Sequence, residues 1–176
     1  MKVQRLEEFQ ISETEQKAIR RLLESSFSEY PGDRIYLKQL PDFRYLVWDK
    51  DEIIAHMAVE HRMINNSGDP CRIFGIVDLC VAEPYQHQKY ATQLLQQLEE
   101  LGEQHQVDFV VLTAKEHQLY QNNGYQLVEN TCTWLLIQSH QTIGVVRRRL
   151  EQCLMVKALG EKKWQAGHMD FLGYAF

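Results

Sequence analysis

The chain has 176 residues, 44% of them hydrophobic, enough for one ordinary globular domain with a full core. A formal net charge of −5 supplies no basic field, so no nucleic-acid partner is expected. No apolar run follows Met1-Lys2 and none approaches the ~20 residues of a membrane span, so the expectation is a cytoplasmic protein with no membrane partner.

In chain order, Ser12-Glu13-Thr14-Glu15 has the form of a capping box, with Ser12 as N-cap and Glu15 reaching back. The helix it opens carries Ala18, Ile19, Leu22 and Leu23 on one face and ends near Phe27. Glu29 to Pro41 is polar, contains Pro31-Gly32, and reads as a short second helix with flanking loops. Phe43–Trp48 and Ile53–His61 form a hairpin across Asp49-Lys50-Asp51-Glu52. Asn65-Asn66-Ser67-Gly68-Asp69-Pro70 is the strongest turn cluster and leads into a long strand, Arg72 to Ala82. Within that strand Ile76-Val77-Asp78-Leu79-Cys80-Val81-Ala82 is almost wholly apolar, as when both faces are buried. Glu83-Pro84 stops it, because proline cannot donate to a ladder.

The turn Tyr85-Gln86-His87-Gln88-Lys89 then opens a helix whose Ala91, Leu94, Leu95, Leu98 and Leu101 follow the 3.6-residue period. A strand feeding a helix through a polar turn aims helix N–H groups at one point, which suits a phosphate. Val107–Thr113 is another buried strand, followed by a short helix that ends in Leu119-Tyr120-Gln121-Asn122-Asn123-Gly124-Tyr125. Thr131–Ile137 and Leu154–Leu159 complete the expected strands. The four cysteines, Cys71, Cys80, Cys132 and Cys153, have no CxxC spacing, and three lie in apolar strand-like runs, so they read as buried reduced thiols.

These motifs resemble the GNAT superfamily of acyl-coenzyme A-dependent N-acyltransferases. The family's pyrophosphate loop has Arg or Gln, two residues, Gly, one residue, then Gly or Ala. The chain supplies Gln86, Lys89 in the glycine position, and Ala91. The second signature is an aromatic or aliphatic residue, Tyr, three residues, then Gly and an aromatic. Leu119, Tyr120, Gly124 and Tyr125 meet it in full. Leu46-Val47-Trp48-Asp49, Ile53-Ile54-Ala55-His56, Gln88-Lys89 and Trp164-Gln165-Ala166-Gly167 are similar to segments of aminoglycoside 2′-N-acetyltransferases, which also lack the loop glycine.

The family likeness covers roughly residues 12–137 of a single domain, with 138–176 as a C-terminal extension. It implies an α/β (α+β) fold: a central mixed, mostly antiparallel twisted sheet flanked by helices, with a V-shaped cofactor cleft between central strands. The implied activity is transfer of the acetyl group of acetyl-CoA, as cosubstrate, to a primary amine of a small molecule such as an amino sugar or aminoglycoside, directly in a ternary complex. Rival readings are a non-catalytic acyl-CoA sensor and a protein N-acetyltransferase.

The resemblance also assigns residues. Leu79, Cys80 and Val81 correspond to the segment whose backbone pairs with the cofactor's pantetheine arm like an added strand. Gln86, His87, Gln88, Lys89, Tyr90, Ala91 and Thr92 correspond to the pyrophosphate loop, where Lys89 either adds charge or points outward. Tyr120 corresponds to the general acid for the departing thiolate, a phenol of pKa ~10 against a thiol of about 8.5. Asp78 is the one acid in its apolar strand, where a buried carboxylate calls for an explanation; it corresponds to a base acting through water, with Glu60 as rival.

The bland alternatives are a surface helix entrance for the loop, a tied-off core tyrosine for Tyr120 and a capped structural carboxylate for Asp78. His56 and His61, five apart on a strand, fall on opposite faces and cannot share a metal, so no metal is assigned. His117 reads as a surface residue that shares the Tyr120 helical face. The region that would hold a cationic acceptor contains Glu29, Asp33 and Asp42, which do not fall on the acidic positions of the aminoglycoside enzymes. The aromatic tail Phe171-Leu172-Gly173-Tyr174-Ala175-Phe176 reads as a cover over a less polar acceptor, a core strand, or a contact in a homodimer.

Overall fold

A computed structural model describes residues 3–28 and 30–176. The chain packs as two compact units, one from the chain up to Glu60 with Val77–Gln97, the other from His61–Ile76 with Leu98–Phe176. Two long strands, β3 (Glu52–Asn66) and β4 (Asp69–Val81), contribute to both.

The first unit starts with β1 (Val3–Glu7), which sequence periodicity did not disclose, and α1 (Glu13–Ser26). The capping box forms as expected: Ser12 Oγ accepts from the Glu15 N–H at 3.3 Å, and Glu15 Oε2 accepts from the Ser12 N–H at 2.8 Å. Ile19, Leu22 and Leu23 are the buried stripe of α1. They pack with Ile11, Ile35, Leu46, Ile53 and Cys80 in one apolar cluster. β2 (Phe43–Asp49) pairs antiparallel with both β1 and β3, with an irregularity at Val47/Trp48.

The short helix expected between Glu29 and Pro41 does not form. Residues 30–42 run as turns and bends. Pro31-Gly32 breaks the helical ladder, and Ile35 is the one apolar residue of the segment in the cluster, so no periodic face holds a helix down. Glu29 lies outside the described residues.

The strand that ends in Val81 also departs from expectation. Asp78 and Cys80 are buried, but Val77, Leu79 and Val81 are only half-buried, so the apolar run is not covered equally on its two faces. α2 (Tyr90–Gln104) follows, and its Leu94, Leu95 and Leu98 are fully buried.

In the second unit the strand order is β6–β9–β5–β4–β3–β10–β7–β8. The members not yet given are β5 (Phe109–Thr113), β6 (Gln126–Leu127), β7 (Asn130–Gln138), β8 (Gln141–Leu150), β9 (Leu154–Ala158) and β10 (Gly167–Tyr174). Most pairs are antiparallel; β4–β5 and β7–β10 are parallel, which makes the sheet mixed as expected. The β4–β5 ladder runs from Ile73–Phe109 to Ile76–Leu112 and stops there.

Between β3 and β4 the turn is just Ser67-Gly68. Both have positive φ, 56° and 95°, as a two-residue hairpin of type I′ requires. β10 places Met169 and Phe171 in the core, so the tail is a core strand through Phe171. Arg62 secures its end, donating to the Phe171 and Tyr174 carbonyls with its guanidinium over the rings of Tyr174 and Phe176. Cys71, Cys80 and Cys132 are buried free thiols and Cys153 is half-buried.

Candidate active site

Asp78 is a carboxylate with 5% of its surface exposed, and the structure supplies the compensation its burial demands. The Tyr30 hydroxyl donates to Oδ2 at 2.8 Å. Burial raises the Asp78 pKa, and Tyr30, Arg44 and Lys38 oppose that rise. Tyr30 is in turn pushed far above the ordinary phenol range, first by its own burial and then by the Asp78 charge, so it stays a donor.

Arg44 is itself fully buried. Its Nε donates to Glu8 Oε2 at 2.6 Å, its Nη2 to Glu8 Oε1 at 3.2 Å and to the Ile35 carbonyl at 2.8 Å. Nη1 lies 3.0 Å from His56 Nε2, which must accept, so the ring is neutral with its proton on Nδ1. Burial, then the Arg44 charge, hold the His56 pKa well below its usual value. Arg44, Tyr30 and Glu8 are site-building residues that sequence reasoning missed. Arg44 carried the same signal as Asp78, a charge inside an apolar strand.

The loop from Gln86 to Lys89 is exposed, and its shape is set by its own side chains. Gln86 Nε2 donates to the Val81 carbonyl and Gln88 Nε2 to the Pro84 carbonyl, each at 3.2 Å. Those amides brace the loop, which leaves its backbone and Lys89 as the groups suited to an anion. His87 and Lys89 hold positive φ, 62° and 67°. Lys89 therefore adopts the left-handed conformation that explains why glycine is usual there. The first intrahelical bond of α2 runs from the Gln93 N–H to the Lys89 carbonyl at 3.0 Å, so the turn delivers the helix N-terminus directly. Tyr90 is buried beside Tyr85, and Ala91 and Thr92 are half-buried. The Cys80 thiol, pushed up to about 12 by burial, is no nucleophile at neutral pH.

Tyr120 lies in the second unit, on α3 (Gln118–Asn122), whereas Asp78 and the loop belong to the first. Its carbonyl accepts from the Asn123 N–H at 2.9 Å and the Tyr125 N–H at 3.0 Å. Gly124 makes the turn between them with φ +85°. Lys157 on β9 fixes this exit, donating to the Asn123 carbonyl at 2.8 Å while paired to Glu99 at 2.6 Å. Burial alone pushes the Tyr120 hydroxyl up to about 12. Among the described residues no hydrogen bond to that hydroxyl is seen, and Tyr120 is half-buried, with its ring 5.8 Å from that of Tyr125.

Other candidates settle more simply. His117 is half-buried rather than a surface residue, and its Nε2–H donates to the carbonyls of Gln152 at 2.8 Å and Ala114 at 3.2 Å. Asp33 and Asp42 are exposed and Glu60 is buried. Among the described residues no three His, Cys, Asp or Glu side chains group as a metal site.

Residues 9–128 match the model of the acetyltransferase (GNAT) domain, and the chain belongs to the GNAT acetyltransferase family. A search among curated proteins returns no match. Among solved structures, the GNAT family N-acetyltransferase YhbS of Escherichia coli in complex with CoA aligns with TM-score 0.64 at 17% identity, covering 96% of this chain and 88% of that one. An aminoglycoside 6′-N-acetyltransferase complexed with coenzyme A aligns with TM-score 0.62 at 12% identity, covering 93% and 99%. Eis1 from Mycobacterium abscessus aligns with TM-score 0.62 at 14% identity, but the match spans only 32% of that longer chain. At these identities the likeness is one of fold. No described helix is long and apolar enough to cross a membrane.

Proposed function

We propose that the protein is an acetyl-CoA-dependent N-acetyltransferase that acylates a primary amine of a small molecule by direct transfer. The observation that carries the reading is the braced loop before α2, where Lys89 takes the left-handed conformation of the family's glycine. The donor set suits a diphosphate: backbone N–H groups of a helix N-terminus, an exposed ammonium, and no carboxylate between Tyr85 and Thr92. Leu79 and Val81, half-exposed on a strand, are the residues to lie along the pantetheine arm, with Cys80 between them facing the core.

The cosubstrate supplies an activated acetyl thioester; the protein positions it and moves protons. Asp78 accepts the proton that the attacking amine loses as its nitrogen bonds to the carbonyl carbon. Tyr120 donates toward the sulfur as the carbon–sulfur bond breaks, and is reprotonated from solvent. With its hydroxyl near 12, transfer to a thiolate of about 8.5 is uphill by ~3.5 units, so its main contribution is a hydrogen bond to the developing charge. A tyrosine retained in the family's motif and a carboxylate kept buried are features an acyl-CoA sensor has no use for, which favours the enzyme.

Calorimetry with acetyl-CoA tests the reading first, with micromolar binding expected. A Kd weaker than about 1 mM, only ~4 kcal/mol of binding, overturns it. A screen with spermidine, glucosamine and kanamycin, followed by thiol release, then separates enzyme from sensor.

A further inference from the structure

The buried polar cluster of the first unit reaches beyond the two residues assigned to proton transfer. We propose that Tyr30 is a positioning residue for the Asp78 base, its hydroxyl holding Oδ2 so that Oδ1 is presented to the incoming amine or its relay water. The proposal rests on the assignment of Asp78 as base.

The geometry is specific. Tyr30 reaches Asp78 across 48 positions of sequence and closes to 2.8 Å, although the segment that carries it forms no regular element. Among the described residues, no donor reaches Oδ1. A carboxylate gripped at one oxygen has one orientation and one free lone-pair face, as proton abstraction requires. Tyr30 also sets the charge state, since a hydrogen bond to the ionised form favours that form.

The other groups around Asp78 do a different job. Arg44 from β2 and Lys38 from the segment before it favour the carboxylate through space. The Arg44 donors are spent on Glu8, the Ile35 carbonyl and His56, with no hydrogen bond to Asp78. Cys80, two residues along the strand, is a neutral thiol whose pKa burial raises. Tyr30 is thus the side chain that contacts the carboxylate itself.

Tyr30→Phe keeps the ring and removes one donor. In protein labelled with carboxyl-¹³C aspartate, with the Asp78 signal assigned by its loss in Asp78→Asn, the titration midpoint of Asp78 should move to higher pH in Tyr30→Phe. The acid limb of kcat against pH, measured with whichever of spermidine, glucosamine or kanamycin is accepted, should move the same way. On that limb the rate should fall about tenfold and recover at alkaline pH, with unchanged affinity for acetyl-CoA. An unmoved midpoint and an unmoved limb, in a Tyr30→Phe protein with native circular dichroism, overturn the role of Tyr30 alone. If Asp78→Asn retains the acid limb, the base assignment falls and takes this proposal with it.

Discussion

Asp78 is buried and Tyr120 half-buried, and their surroundings treat them oppositely. Asp78 receives a hydroxyl donor, and two cations lie within electrostatic reach. Tyr120 is desolvated with no hydrogen bond to its hydroxyl among the described residues, and burial is the sole cause of its raised pKa. The difference follows from the charge each proposed role needs. A base must be ionised at rest, and a buried carboxylate ionises only where donors and cations offset the loss of water. A hydrogen-bond donor to a departing thiolate must be neutral at rest, and desolvation by itself guarantees that. Burial is therefore resisted in one region and used in the other.

The largest effect expected from breaking this contrast is at Tyr120. Tyr120→Phe leaves the ring to pack at 5.8 Å from Tyr125, so fold and acetyl-CoA affinity should persist. The transfer rate should drop by about 10²–10⁴ if the hydroxyl acts on the leaving group. Single-turnover acetyl transfer at saturating acetyl-CoA measures it, and a rate within threefold of the parent would remove Tyr120 from the chemistry.

A smaller effect sharpens the Asp78 side through its neighbour His56. The folded-state pKa of His56 is depressed, so between that value and 6.5 the unfolded chain binds a proton the native protein refuses. Stability from this source rises with pH across that window and is lost on acidification below 6.5, at up to about 1.4 kcal/mol per pH unit. Asp78, raised in the folded state, contributes with the opposite sign, in the window just above the ordinary aspartate value. Urea denaturation from pH 7 to 5 should show a shallower loss in His56→Gln, since glutamine can accept from Arg44 without titrating. Identical slopes in parent and variant would mean that the His56 pKa is not depressed in the fold.

How much of this was legible beforehand divides along the range of the interactions. α1, β4 and α2 were readable because their signals are local: a capping box four residues long, an apolar run stopped by Pro84, a 3.6-residue stripe. The Tyr120 motif was readable by resemblance for the same reason. β8 was not, because Gln141–Leu150 is largely exposed along its length and so carries no alternation. β1 was missed as a short strand whose pairing depends on a distant partner, and β10 was read only as one of three alternatives for the tail. The segment 30–42 misled because its polarity suits a helix as well as a loop until Pro31-Gly32 is given its full weight. Tyr30 was invisible as a partner of Asp78, since nothing local marks a residue 48 positions away, whereas Arg44 carried a local signal, a charge inside an apolar strand, that went unread. The bracing role of the loop side chains was not legible: Gln86 and Gln88 donate to the Val81 and Pro84 carbonyls, contacts that the residue pattern alone does not disclose.

The smallest effect lies at Lys89, where one residue serves backbone geometry and charge together. An L-residue in the left-handed region costs about 1–2 kcal/mol relative to the right-handed one, and glycine avoids that cost. Lys89→Gly should therefore gain up to about 1 kcal/mol of stability, part of it offset by the freer unfolded chain. Lys89→Ala keeps the strain and should gain nothing. Both variants remove the ammonium, so both test the charge. If Lys89 touches the pyrophosphate, acetyl-CoA affinity should fall about two- to fivefold at low salt in each, and its salt dependence should flatten. If the backbone N–H groups do the binding, Lys89→Gly should match the parent at every salt concentration. A loss in Lys89→Ala without one in Lys89→Gly would mean that relaxing the turn offsets the lost charge, since only the glycine variant removes the strain while deleting the same ammonium.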